Sequence, residues 1–186
     1  MKNYDVVIVG LGPTGGTLAN LIALSGFSVL ILEREKSFYP LPRAVHFDDE
    51  VMRVFQTIGI ANDFLKHTII NKGTKFVNSK GKIILDWPRP RKLTENGWYP
   101  SYRFNQPDLE RQLRKKLKKY KKVQIKQNTE VQKIHNAKDN VKILFKNVLD
   151  KKNYEVQAKY VIGCDGANSI TRKQIGTKMD NLGFTQ

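Results

Sequence analysis

The chain has one cysteine, Cys164, in 186 residues. A lone thiol excludes an internal disulfide and a thiolate metal site. The three histidines, His46, His67 and His135, stand at no ligand spacing, so no metal is expected. No apolar run approaches the ~20 residues that span a bilayer. The opening "YDVVIVGLGP" has neither a basic n-region nor a small-residue cleavage site. These absences point to a cytoplasmic chain without a membrane span. There is also no internal repeat and no low-complexity linker, and the length suits a single domain with a real core.

Acidic residues are scarce as well, 17 against 33 Lys and Arg, for a net charge of +16. Much of the excess lies in "ERQLRKKLKKYKKVQIKQ", where Leu109, Leu113, Leu117 and Tyr120 recur at helical spacing. That stripe faces a core, so the lysines form the solvated face. No helix-turn-helix, zinc-finger or RNP-like pattern accompanies them and the one aromatic among them, Tyr120, belongs to the apolar stripe, which argues against nucleic acid as a partner. A positive field would instead favour an anionic small molecule such as a dinucleotide.

What is present is an alternation of strand and helix signals. "YDVVIV" is a β-branched run suited to a buried parallel strand, Thr14 to Ser25 reads as a helix ended by Gly26, and "SVLILE" is a second buried strand. Asp48 is placed to cap a helix through Val51, Val54, Phe55 and Ile58, ended by Gly59. Asp49 and Glu50 suit its first turn, where the helix dipole favours acids. "TKFVNSKGKIILDW" reads as a hairpin with Gly81 in the turn. After the basic helix come "VQIKQ", strands around Val131 to Ile134, Val141 to Phe145 and Tyr154 to Ala158, and a last buried strand, "YVIGC". The expected fold is α/β: a Rossmann-like parallel sheet with a small antiparallel meander inserted before the last strand.

The first motif with chemistry is "GLGPTGG", with Gly10, Gly12 and Gly15 in the pattern G-x-G-x-x-G. It follows a strand, opens a helix and precedes Glu33, 23 positions after Gly10 at the tip of the next strand. That context makes the motif specific for a dinucleotide. Gly10 permits the tight turn, Gly12 lets a pyrophosphate approach the backbone, and Gly15 lets the helix pack close to the strand. The helix start, with Pro13 and Thr14, supplies N–H groups and a positive dipole end to phosphates. Glu33 suits an unphosphorylated adenosine ribose, as in NAD or FAD, and repels the 2′-phosphate of NADP.

The residues beyond Glu33 separate NAD from FAD. "EREKSFYPLPRAVHFDDEVMRVFQTIGI", then "YRFNQPDLERQL" and "CDGANSITR", resemble the FAD-dependent aromatic hydroxylases, the single-component flavoprotein monooxygenases. The likeness is greatest to the branch that includes the 3-(3-hydroxyphenyl)propionate hydroxylases, and it covers essentially the whole chain. It implies that Gly10, Gly12, Pro13, Thr14, Gly15, Glu33 and Arg34 belong to the ADP-binding part. By the same likeness Arg43 reaches the FAD phosphates and borders the flavin, and Gln106 contacts the cofactor at the start of its helix. Asp165, Gly166 and Arg172 match a motif linked to FAD and NAD(P)H binding. There Asp165 stabilises Arg43 or backbone donors, and Asn168 or Ser169 caps the next helix. Cys164 is a small buried residue and no nucleophile, while His46 is a candidate for substrate or cofactor contact.

The resemblance further implies that NAD(P)H reduces FAD and that O₂ is delivered, through a flavin hydroperoxide, to a phenolic or other aromatic substrate. It implies no catalytic acid or base among the residues above. Relatives continue into a substrate-covering sheet and a second Gly-Asp motif, and no Gly-Asp pair occurs in this sequence. Residues 1–186 are therefore expected to be the N-terminal part of such a FAD-binding domain. Alternatives are another FAD-dependent oxidoreductase of this fold, such as a quinone-pathway hydroxylase or a reductase, or a non-catalytic dinucleotide-binding module. A halogenase lacks support because no Trp-x-Trp-x-Ile-Pro pattern is present.

Overall fold

The computed structural model describes residues 2–184. Strand β1 (Asn3–Val9) is followed by helix α1 (Pro13–Leu24) and strand β2 (Val29–Leu32). Next come β3 (His46–Asp48), α2 (Asp49–Thr57), α3 (Ala61–Leu65), β4 (Thr68–Ile70), the hairpin β5 (Gly73–Val77) and β6 (Ile83–Pro88), and β7 (Ser101–Phe104). The basic helix is α4 (Gln106–Leu117), and the chain continues through β8 (Val123–Lys126), β9 (Thr129–Asn136), β10 (Val141–Asn147), β11 (Asn153–Gly163) and α5 (Ile170–Gln174). These elements form two compact units, one made by the chain up to Phe38 together with the chain from Leu117 onward, the other by Tyr39–Lys116.

In the first unit a six-stranded sheet runs in the order β8-β2-β1-β11-β10-β9. β8, β2, β1 and β11 are parallel, whereas β9 and β10 are antiparallel additions on the β11 side. Alternation along the strands divides the core between two faces. Val6, Ile8, Val29 and Ile31 pack with Ala19 of α1 and with Leu117, while Val7, Val9, Leu30 and Leu32 pack with Val131, Ile143, Phe145 and Val156. Both faces of the central strands are covered, which is why they read as unbroken apolar runs.

The expected fold class holds, with one difference in detail. The stretch at Tyr154 to Ala158 and "YVIGC" are not two strands: β11 runs unbroken for 11 residues. Its first half pairs antiparallel with β10, and it pairs parallel with β1 along most of its length. No turn residue interrupts "NYEVQAKYVIG", so nothing in the chain breaks the strand.

The second unit has a small antiparallel sheet, β3-β7-β4, and the separate hairpin β5–β6. Its core is aromatic: the Phe47 ring lies 5.3–5.8 Å from the rings of Phe55, Phe64, Tyr102 and Phe104. Asp48 caps α2 by accepting the Val51 N–H at 3.0 Å. Asp49 does more than complement the dipole, since its Oδ2 accepts Thr94 Oγ1–H and Asn96 Nδ2–H, both at 2.7 Å. Those bonds tie the loop before β7 to α2 and hold the Asp49 carboxyl below the usual carboxylate range. On α4, Leu109, Leu113 and Leu117 are buried and Lys115 is exposed; Lys118, Lys119, Lys121 and Lys122, also exposed, follow the helix in the turn before β8, so the helix is shorter than the basic stretch. The lysine run is thus solvated, on the end of the helix and the turn after it. Among the described residues no helix is long and apolar enough to cross a membrane, and no cluster of His, Cys, Asp and Glu is placed to hold a metal.

Candidate functional site

In the first unit, the carboxyl ends of β1, β2 and β11 bring together Gly10 to Gly15, Glu33 and Asp165 to Gly166. In open α/β sheets ligands bind in the crevice outside these strand ends. The three motif glycines are there for different physical reasons. Gly10 has φ +99°, and a Cβ on it would overlap the Cys164 carbonyl, whose carbon would lie 2.8 Å away. A Cβ on Gly15 would overlap the Gly10 carbonyl oxygen and lie 3.2 Å from Cys164 Cβ. These two glycines are required by the protein's own packing. Gly12 is not: its backbone is extended, at φ −75° and ψ −170°, and a Cβ there meets nothing within 4 Å.

Gly12 is also the N-cap of α1, with no side chain capping the helix and Pro13 in the first turn. The first turn of a helix leaves N–H groups without intrahelical acceptors and carries the positive end of the dipole. A side chain is missing at Gly12 itself, so an anionic group such as a pyrophosphate can approach the backbone there. Thr14 is exposed at this turn. Glu33 is half-buried at the end of β2. Its Oε2 accepts Leu11 N–H at 2.6 Å and its Oε1 accepts Glu35 N–H at 2.9 Å. The carboxylate therefore shapes the glycine turn and keeps lone pairs for a hydroxyl-bearing ligand. Arg34 is exposed and pairs with Glu35 at 3.0 Å.

At the end of β11, Cys164 N–H donates to Val9 O at 2.7 Å, which continues the parallel pairing with β1. Burial pushes the Cys164 thiol up, so it is a poor nucleophile at neutral pH. Asp165 accepts Ser169 Oγ–H on Oδ1 at 2.6 Å, and Thr171 N–H at 3.0 Å and Thr171 Oγ1–H at 3.2 Å on Oδ2. Asp165 thus organises donors of its own loop, one of them the Thr171 backbone N–H. Burial alone would raise its pKa, but the bonds from Ser169 and Thr171 outweigh it and hold the carboxyl below the usual range. Ser169, not Asn168, caps α5, accepting Arg172 N–H at 2.9 Å. Gly166 takes the positive φ, +74°, that the turn needs. The Arg172 guanidinium donates to Ala167 O at 2.9 Å, closing the same loop.

Two expected residues, Arg43 and Gln106, lie in the second unit. Arg43 is exposed, with its guanidinium 5.0 Å from the centre of the Tyr39 ring. Gln106 is buried at the first position of α4, and it is not a cap. Its Oε1 accepts Arg43 N–H at 3.2 Å and Ala44 N–H at 2.9 Å, and its Nε2 donates to Glu110 Oε1 at 3.0 Å. His46 is exposed in β3, paired with Arg103 of β7. Thr171, Glu110 and the Asp49 loop clamp were not foreseen. Their partners are distant in sequence or depend on side-chain direction, and only the Ser169-x-x-Arg172 cap spacing carried a local signal.

The FAD binding domain family matches residues 3–184. Among curated proteins, the probable NADH-specific resorcinol 4-hydroxylase of Rhodococcus jostii is 37% identical over 185 residues, 98% of this chain and 34% of that protein. The 3-(3-hydroxy-phenyl)propionate/3-hydroxycinnamic acid hydroxylase of Mycolicibacterium gilvum is 34% identical over 178 residues, 96% of this chain and 30% of its own length. Among solved structures, p-nitrophenol 4-monooxygenase PnpA from Pseudomonas putida superposes with a TM-score of 0.88 at 25% identity, over 98% of this chain and 46% of its own. The flavin-dependent monooxygenase PieE, solved with FAD and substrate, superposes with a TM-score of 0.87 at 22% identity, over 96% of this chain and 33% of its own. The chain spans about a third of the length of the curated relatives it matches.

Proposed function

Since this chain belongs to the FAD binding domain family, we propose that it is the FAD-binding portion of an NAD(P)H-dependent monooxygenase that hydroxylates a phenolic or other aromatic compound with O₂. The observation that carries the reading is Gly12, a glycine the protein's own packing does not require, at an uncapped helix start. In this reading Gly10, Gly12, Pro13, Thr14 and Gly15 form the pyrophosphate cradle. Glu33 takes the adenosine ribose, with Arg34 beside it. Arg43 offers a forked, charge-assisted donor to phosphate oxygens. Gln106 supports the Arg43 segment, and Asp165, Gly166 and Arg172 form a rigid loop at the same strand ends as the glycine turn. The whole matched span acts as one FAD-binding portion.

When bound, FAD supplies the redox and oxygen chemistry. The residues of this chain bind and orient it, and none is assigned a proton-transfer role. The relatives whose names specify resorcinol or hydroxyphenylpropionate support a phenolic substrate, and the NADH-specific one supports a reduced nicotinamide as donor. A cytoplasmic setting fits a lone cysteine and a nicotinamide co-substrate. The purified chain, titrated with FAD, is expected to quench flavin fluorescence and to retain a flavin absorption spectrum on desalting. No binding at excess FAD would refute the cofactor reading. The activity is tested by phenol-stimulated NAD(P)H oxidation in a polypeptide of the relatives' full length. Flavin reduction that is indifferent to phenols would favour a reductase of the same fold.

A further inference from the structure

The resemblance implies that Gln106 touches the cofactor, yet most of its hydrogen-bonding capacity is spent inside the protein. The residue is 3% exposed. Its amide oxygen has two lone pairs, and both are taken, by Arg43 N–H and Ala44 N–H. One of its two amide hydrogens goes to Glu110. Glu110 is itself 3% exposed, and its second oxygen faces Arg114 Nη2 at 3.6 Å. A buried carboxylate persists only when paired and hydrogen-bonded. Being acceptor-only, it leaves the Gln106 amide a single orientation: nitrogen toward Glu110, oxygen toward the Arg43–Ala44 backbone.

We propose that Glu110 is a positioning residue for cofactor binding: it fixes the Gln106 amide, and through it the backbone at Arg43 and Ala44, so that the Arg43 guanidinium is presented to FAD. Gln106 can then meet the cofactor only as a donor, through its one remaining N–H. This rests on the reading of Arg43 as a phosphate-binding residue. A carboxylate at position 110 can only accept, whereas an amide there can turn either end toward Gln106.

Truncating Glu110 alone would remove the carboxylate that pairs with the half-buried Arg114, so the test replaces the ion pair as a unit. Exchange of an ion pair this far out of water for apolar residues of similar volume is usually tolerated. The double variant Glu110→Met/Arg114→Met removes the acceptor for Gln106 Nε2, and Glu110→Gln/Arg114→Met restores one. Three quantities are measured on the chain: the urea midpoint, amide hydrogen exchange at Arg43 and Ala44 without FAD, and the FAD Kd from fluorescence quenching. The Met/Met variant is expected to keep its urea midpoint, to exchange both amides about tenfold faster, and to bind FAD about tenfold more weakly. The Gln/Met variant is expected to return both values to within about threefold of the parent. Unchanged exchange in the Met/Met variant would overturn the role of Glu110. Faster exchange with an unchanged FAD Kd would overturn its link to the cofactor. If the parent chain binds no FAD, the cofactor reading fails by itself, and the exchange comparison still decides whether Glu110 holds the loop.

Discussion

Replacement of Gly12 by alanine separates a glycine kept for a ligand from one kept for the fold. The backbone at Gly12 is extended and a methyl group there meets nothing within 4 Å, so no clash and no strain arise. Two small terms remain. Alanine narrows the unfolded ensemble, a gain of about 0.4–1 kcal/mol. It is also a poorer N-cap than glycine, a loss of about 0.5–1 kcal/mol. They offset, and Gly12→Ala should leave stability within about 0.5 kcal/mol of the parent, or roughly 2 °C in Tm for a chain of this size. FAD binding should respond far more, because the methyl keeps the phosphates from the N–H groups of the first turn. Loss of one charge-assisted hydrogen bond, about 1.5–3 kcal/mol, weakens FAD binding at least about tenfold.

Gly10→Ala gives the opposite pattern. The residue stands at φ +99°, and its new Cβ would be driven into the Cys164 carbonyl, which is backbone and cannot swing away. Left-handed strain of about 1–2 kcal/mol and overpacking of about 1–3 kcal/mol together give a loss of roughly 2–5 kcal/mol. The assay pairs urea unfolding of the FAD-free chain with an FAD titration by fluorescence quenching. The reasoning is refuted if Gly12→Ala binds FAD like the parent, or if it is destabilised as much as Gly10→Ala.

Glu33→Gln leaves one acceptor oxygen where two backbone N–H groups, of Leu11 and Glu35, now bond. The FAD Kd should rise about tenfold, with a smaller loss of stability. Asp165 has a lowered folded-state pKa, so its contribution to stability is present above the unfolded carboxylate value of about 4 and is lost as pH falls through the folded value. Asp165→Asn should therefore cost about 1.5–3 kcal/mol at pH 7 and flatten the acid limb of a stability-against-pH curve, as followed by urea midpoints. Phe64 is fully buried among Phe47, Phe55 and Phe104, so Phe64→Ala should cost about 3–5 kcal/mol in urea unfolding.

The sheet of the first unit was legible because its strands are apolar runs and its helix begins at a glycine turn, both local features. The Asp48 cap and the apolar stripe of α4 were legible for the same reason. Strand β7 was not, because "SYRF" is too short for its alternation to register, and it becomes a strand only by pairing on both edges with β3 and β4. The aromatic cluster gathers Phe47, Phe55, Phe64, Tyr102 and Phe104 from separate segments, and no single window reports it. At the candidate site, residue identities were readable but the hydrogen bonds were not. Gln106 reads as a cofactor contact or a cap, and only the placement of Arg43, Ala44 and Glu110 around it reveals an internal strut.

The same distinction explains why "YVIGCDGANSITR" matters although no catalytic acid or base is expected in it. β11 pairs parallel with β1 from Asn3 to Val9, and Cys164 N–H extends that pairing to Val9 O. The carbonyl of Cys164 then occupies the space a side chain at Gly10 would need, and Cys164 Cβ lies against Gly15. The first glycine turn is thus shaped by a strand end from the far part of the chain. Beyond that strand end, Asp165 draws Ser169 and Thr171 back over β11, where Thr171 Cβ would come within 2.6 Å of a Cβ at Gly163. A substitution that enlarges Gly163 should therefore displace α5 and the 165–172 loop and leave β1 and α1 in place. Urea unfolding would show a loss near that of overpacking, about 1–3 kcal/mol, with FAD affinity reduced through the loop. If Gly163→Ala kept both stability and FAD affinity, the loop after β11 would not be coupled to the site, and the glycine turn would stand alone.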